Sequence, residues 1–254
     1  MLQIRSVAFL AVLGILPSVA ILGQTSAIPV ETRSVNADDR VLNAPYSAQR
    51  HFTEVRTLAN GSISRSESGG SEARDSQGRT YSAGERHWTY LDGKKTVLKS
   101  EMLYRIHDPV ANTDTKWDSS SKEAKVIHWP PSEPKENTSE AECQACNEAT
   151  TKASGAVVEK LGVKTIEGVV AEGTRSSYTV PAGQDHNDQP IVVVHESWYC
   201  REFKIVILET NEDPRSGSTR NELVDIVRGE PDVGQYRPPT DYVVHELQLP
   251  LANR

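Results

Sequence analysis

The 254-residue sequence predicts a mostly β protein of α+β class. The expected architecture is a curved antiparallel sheet or incomplete β-barrel, with an N-terminal signal helix and few other helices. Three observations carry this. Turn signals return about every 8–12 residues from Tyr46 onward, the spacing of short strands in a meander. No amphipathic helical pattern fills the intervals between them. The two most apolar runs beyond residue 27, Pro190–Tyr199 and Phe203–Thr210, have strand length and turn residues at their ends. Long twisted strands of this kind pair into a sandwich or curl toward a barrel, because flat exposed edges invite aggregation.

Taken in order, residues 1–27 read as a signal peptide. Arg5 supplies the positive charge, Ser6–Gly23 is uncharged and mostly apolar, and Thr25-Ser26-Ala27 offers small residues for cleavage. An uncleaved membrane anchor competes with this reading, since the apolar run is just long enough to span a bilayer. Pro17 and the small residues favour cleavage. Export to the periplasm or the extracellular space follows, with membrane contact only where the segment is retained. Residues 28–45 form an extended lead-in without sustained periodicity.

Residues 46–129 form the first half of the sheet. His51–Leu58 and Ile63–Glu67 flank Asn60-Gly61, a hairpin signal, and Ser68-Gly69-Gly70 is expected to break the second run. Ser76-Gln77-Gly78 separates Glu72–Asp75 from Arg79–Ser82. Asp92-Gly93 separates Glu85–Leu91 from Thr96–Ser100, and Glu101–His107 ends at Asp108-Pro109. Asp114–Asp118 and Ala124–Trp129 enclose a serine loop. Residues 130–160 interrupt the pattern as a polar linker or insertion, in which Ser139-x-x-Glu142 could cap a short helix. Residues 161–250 return to strands: Val169–Val180, Pro190–Tyr199, Phe203–Thr210, Thr219–Arg228 and Tyr242–Leu249.

Charge and motifs exclude more than they assign. Lys+Arg is 28 and Asp+Glu 35, a net charge of −7, which argues against nucleic acid as a partner. His195-Glu196 and His245-Glu246 each begin a zinc-protease motif, but the fifth positions are Tyr199 and Leu249. Both pairs sit in strands, where positions i and i+4 do not converge as they do on a helix. No nucleophile elbow, phosphate loop or dinucleotide fingerprint occurs, and neither metal nor cofactor is expected. Of the three cysteines, Cys143 and Cys146 have the spacing of a local disulfide. Cys200 is a further candidate partner, and reduced thiols or a redox or metal role remain open.

Several blocks resemble a pattern in uncharacterised exported bacterial proteins. They are Arg74–Tyr81, Tyr104–Thr113, Ser120–Ile127, Leu161–Arg175, Pro190–Cys200, Asp213–Asp232 and Gln235–Val244. More remotely, the ending, in which an aromatic residue, a proline and a tyrosine precede the last strand, is similar to the LolA-like, periplasmic lipoprotein-carrier superfamily. That resemblance implies a curved, incomplete barrel closed by helices, which binds acyl chains or acts as a periplasmic sensor. The sequence departs from it in offering few apolar helices for a lid.

Strand aromatics are the remaining candidates. Trp88, Tyr104, Trp129 and Trp198 would bind an apolar ligand if alternate positions line one concave face, with core packing as the competing role. The expected function is a non-enzymatic binding or interaction module for a lipid-like ligand or an envelope partner. A secreted hydrolase without a local motif is the alternative, with His195, Glu196 and His186 as first suspects, and a purely structural envelope protein is a third.

Overall fold

The computed structural model describes residues 40–130 and 155–249. The signal peptide, most of the lead-in, the Ser139 capping box and the Cys143–Cys146 pair lie outside the described residues. Within them, twelve strands and one 3-10 helix follow in chain order: β1 (Tyr46–Thr57), β2 (Ile63–Arg74), β3 (Thr80–Asp92), β4 (Lys95–Asp108), β5 (Thr113–Asp118), β6 (Glu123–His128), β7 (Val157–Ile166), β8 (Val169–Val180), β9 (Ile191–Cys200), β10 (Ile205–Asp213), β11 (Gly217–Arg228), the helix Val233–Tyr236, and β12 (Val243–Gln248). That four-residue turn is the helical content among the described residues, so the α+β expectation is corrected there to all-β. β7 starts at Val157, inside the segment read as linker.

The strands form one sheet in the order β12-β6-β5-β4-β3-β2-β1-β11-β10-β9-β8-β7. β12 and β7 do not pair with each other, so the sheet is open. Two meanders, β1–β6 and β7–β11, meet where β1 pairs antiparallel with β11. The closing strand departs from the antiparallel expectation: β12 pairs parallel with β6, Val243 opposite Glu123. The cause is the connection after β11, which crosses one face of the first meander before it turns into β12.

Local chemistry explains the hairpins. Asn60 Oδ1 accepts from Ser62 N at 3.0 Å in the β1–β2 turn. Gly93 (φ 61°) opens the two-residue β3–β4 turn between Asp92 and Lys95, the arrangement of a type II′ hairpin. The expected break at Ser68-Gly69-Gly70 is corrected, because β2 runs through it. A Cβ on Gly70 would stand 2.1 Å from the Ala83 carbonyl oxygen, so glycine is the residue that lets β2 approach β3.

Register divides the buried side chains between two faces. Tyr46, Arg74, Thr80, His107, Asp114 and Ile127 face one another in sequence across the first meander. Ser47, Ala73, Tyr81, Ile106, Thr115 and Val126 occupy the opposite face. The larger core is built on the Tyr46 face and contains Ala48, Val169, Ala171, Trp198, Cys200, Phe203, Ile207 and Leu223. Arg74, 5% exposed, lies over the Tyr46 ring and donates to the carbonyls of Ala44 and Phe203, and burial lowers its pKa. Cys200 is buried, with a free thiol among the described residues. The smaller core, Ile106, Trp117 and Ala124, lies on the Tyr81 face.

Candidate ligand-binding cleft

Residues 229–242 close the Tyr81 face like a strap. Asp232 caps the short helix, its Oδ1 accepting from Gly234 N at 2.9 Å. Arg79 stacks over the Tyr236 ring, with 4.9 Å from guanidinium carbon to centroid. At the far end Lys122 Nζ pairs with Asp241 Oδ2 at 2.7 Å, and Tyr242 Oη donates to the Asp118 carbonyl at 3.1 Å. Pro238 and Pro239 fix the backbone between these anchors, where a flexible chain would lose more entropy on ordering.

Between strap and sheet is a cleft of about 460 Å³, lined by Tyr81, Tyr104, Trp117 and Tyr242 with Arg237 and the two prolines. Tyr104 and Trp117 are cross-strand partners whose rings stack at 5.1 Å and 7°. Burial raises the pKa of Tyr81 and of Tyr236, so both hydroxyls stay protonated and neutral. The hydrogen bond from Lys122 holds Asp241 below the ordinary carboxylate range. Arg237 is exposed at the mouth. Aromatic and proline walls with polar groups and the Arg237 cation at the rim suit a ligand that pairs an apolar or ring part with an anionic end.

The four aromatics singled out in the sequence do not converge. Tyr104 lines the cleft. Trp88 lies on the opposite face of β3, where Arg86 stacks against it at 5.4 Å. Trp129 follows β6 and donates from Nε1 to Asp114 Oδ2 at 2.9 Å, on the Tyr46 face. Trp198 is buried in the larger core, closed by Gly173 beneath its ring and by Lys164 Nζ 3.5 Å above it. Trp117, Tyr81, Tyr236 and Tyr242 escaped sequence reasoning. The Gln235–Val244 block was the signal for Tyr236 and Tyr242, because an aromatic–proline–tyrosine run ahead of a last strand places two rings on whatever that run crosses.

The hydrolase suspects are also separated. His195 and Glu196 are neighbours on β9 and so point to opposite faces. His195 Nε2 lies 3.4 Å from Glu209 Oε1. Glu196 accepts from Trp198 Nε1 at 2.6 Å and from Arg175 Nη2 at 3.0 Å, bonds that lower its pKa. His186 is exposed on the loop before β9.

No protein-family model and no curated protein matches the chain. Among solved structures it is similar to an uncharacterized conserved protein from Thermus thermophilus, with 9% identity over 83% of this chain and 94% of that one, at a TM-score of 0.40. A LolA superfamily protein from Nitrosomonas europaea matches with 8% identity over 77% and 92%, at a TM-score of 0.26. The Mycobacterium tuberculosis lipoprotein LppX matches with 12% identity over 75% and 88%, at a TM-score of 0.25.

Proposed function

We propose that the chain is a non-enzymatic binding module of the cell envelope, exported to the periplasm or beyond, which holds a lipid-like ligand under the 229–242 strap. The observation that carries this is the open, aromatic-lined cleft under the strap with its stacked Tyr104–Trp117 pair, of the size small ligands occupy. Arg237 supplies the anion contact at the rim. The acidic side chain of the cleft, Asp241, is already committed to Lys122, and burial keeps the Tyr81 hydroxyl protonated. Among the described residues the cleft therefore has no paired nucleophile and base.

Native mass spectrometry of the gently extracted protein, with titration by a fluorescent fatty-acid analogue, tests the reading. The expected result is a co-purifying mass or saturable binding that Trp117→Leu weakens at least about tenfold, the scale of one lost aromatic contact. Arg237→Gln should weaken an anionic probe more than its neutral ester. An apo mass together with no saturable binding of either probe overturns the proposal.

A further inference from the structure

The β3–β4 hairpin outgrows its sheet. β2 pairs with β3 only between Gly70–Gly84 and Arg74–Thr80, and β5 pairs with β4 only over Leu103–Asp108. From Glu85 to Ser100 the two strands pair, among the described residues, with each other alone, and contacts to the β5–β6 turn resume at Glu101 and Met102. Every residue from Glu85 to Ser100 is exposed except Val97, which is half-buried. A two-stranded ribbon without a third strand is marginal in water, so its free side chains call for a surface to lie on.

The two sides of this ribbon differ. One side carries Glu85 and His87, paired at 3.5 Å, near the sheet, and then Thr89, Leu91, Thr96 and Leu98, an outer stretch without charge in which Leu91 and Leu98 are 66% and 68% exposed. The other side carries Trp88 and Tyr90 with Lys95 and Lys99, and Lys94 sits in the turn. Lys99 Nζ lies 5.3 Å from the Tyr90 ring centre. Lys94 and Lys95 make no ion pair among the described residues, and Asp92 is the acid beside them in the turn. Three cations thus gather at the tip of a ribbon belonging to a chain of net charge −7. Aromatics, exposed leucines and lysines gathered at one tip are the chemistry of an element that enters a lipid headgroup layer. Two copies of the chain pairing tip to tip would instead set lysine against lysine.

We propose that the β3–β4 ribbon is a docking surface for anionic bilayers, its tip entering the headgroup layer end-on so that Leu91 and Leu98 reach the acyl boundary from one side while Lys94, Lys95 and Lys99 meet lipid phosphates. This adds a membrane contact to the one expected from the N-terminal apolar run. It is independent of the cleft.

Full-length protein is mixed with vesicles of phosphatidylcholine, or of phosphatidylcholine with phosphatidylglycerol, each brominated on its chains. Leu91→Trp places a reporter on the leucine side of the tip, at a position 66% exposed. The expected result is quenching of a tryptophan component that wild type lacks, on anionic vesicles only. Replacing Lys94 and Lys95 by alanine should weaken vesicle binding roughly thirtyfold, at about fivefold for each lysine near an anionic surface. The reporter isolates the ribbon even where the N-terminal run brings the chain to the vesicle. Unquenched Leu91→Trp on bound protein, equal quenching on neutral vesicles, or a dimer that Leu98→Ser dissolves would each overturn the proposal.

Discussion

Asp114 offers the sharpest test of how the first meander is held. It is 3% exposed, and its carboxylate receives Arg105 Nη2 at 3.2 Å, His107 Nδ1 at 3.2 Å and Trp129 Nε1 at 2.9 Å. Burial pushes its pKa up, but the hydrogen bonds from His107 and Arg105, with the Arg105 charge, outweigh burial and hold it at about 2. The unfolded value is 3.8. Because the folded value is the lower one, the carboxylate stabilises the fold above pH 4 and loses that contribution as pH falls toward 2. A depression of this size corresponds to about 2 kcal/mol. Asp114→Asn keeps the shape and removes the charge, so it should lower stability by about 2 kcal/mol at pH 7, roughly 4–8 °C in Tm for a domain this long. Urea unfolding of both proteins from pH 7 to pH 2.5, followed by tryptophan emission, should show the gap closing below pH 4. Comparison with the variant matters because Asp118, held at about 2 by the Ser120 and Ser121 hydrogen bonds despite its desolvation, titrates in the same window. A gap that stays constant across the whole range would show that Asp114 acts through shape, and the electrostatic account would fail.

Three other substitutions bear on the fold. The Tyr236 hydroxyl is buried without a hydrogen-bond partner among the described residues, so Tyr236→Phe should raise stability by roughly 1–3 kcal/mol in denaturant melts; a loss would reveal a partner for that oxygen. Gly70→Ala drives a methyl into the Ala83 carbonyl and should cost about 3 kcal/mol or abolish folding, seen as a lowered urea midpoint. Arg74→Met keeps the bulk but leaves the Ala44 and Phe203 carbonyls without its donors. It should cost about 2–4 kcal/mol, and an unchanged midpoint would remove Arg74 from the core account.

Strand existence was legible wherever turn chemistry bounded it. Val169–Val180 is β8 to the residue, because Gly168 and Pro181 stop it at both ends. The same reliance on punctuation failed at Gly69-Gly70, where glycine serves close strand approach and not a turn. It also failed at Ser100-Glu101, where two expected runs are one strand, β4. Parallel pairing of β12 was illegible, since it depends on where the strap crosses and not on any residue of β12. The cleft was half legible. Tyr104 was named, but its companion Trp117 becomes visible only when the β4–β5 register puts both rings on one face, and the same register sends Trp88 and Trp129 to the other. Alternation within one strand is written in the sequence; which positions of different strands share a face is written in the pairing.

The seam between β1 and β11 has a consequence for how the polypeptide acquires its shape. Tyr46 opposite Arg228 and Val55 opposite Ser218 join positions far apart in the chain, so no local event can assemble the middle of the fabric. As synthesis proceeds, the early meander must wait with the inner margin of β1 bare until almost the last strand arrives, and contacts of such long sequence separation form slowly. Refolding should therefore show two fast local phases followed by a slower zippering. Until that last step a bare strand margin remains open to neighbouring chains, a site at which incomplete chains would aggregate.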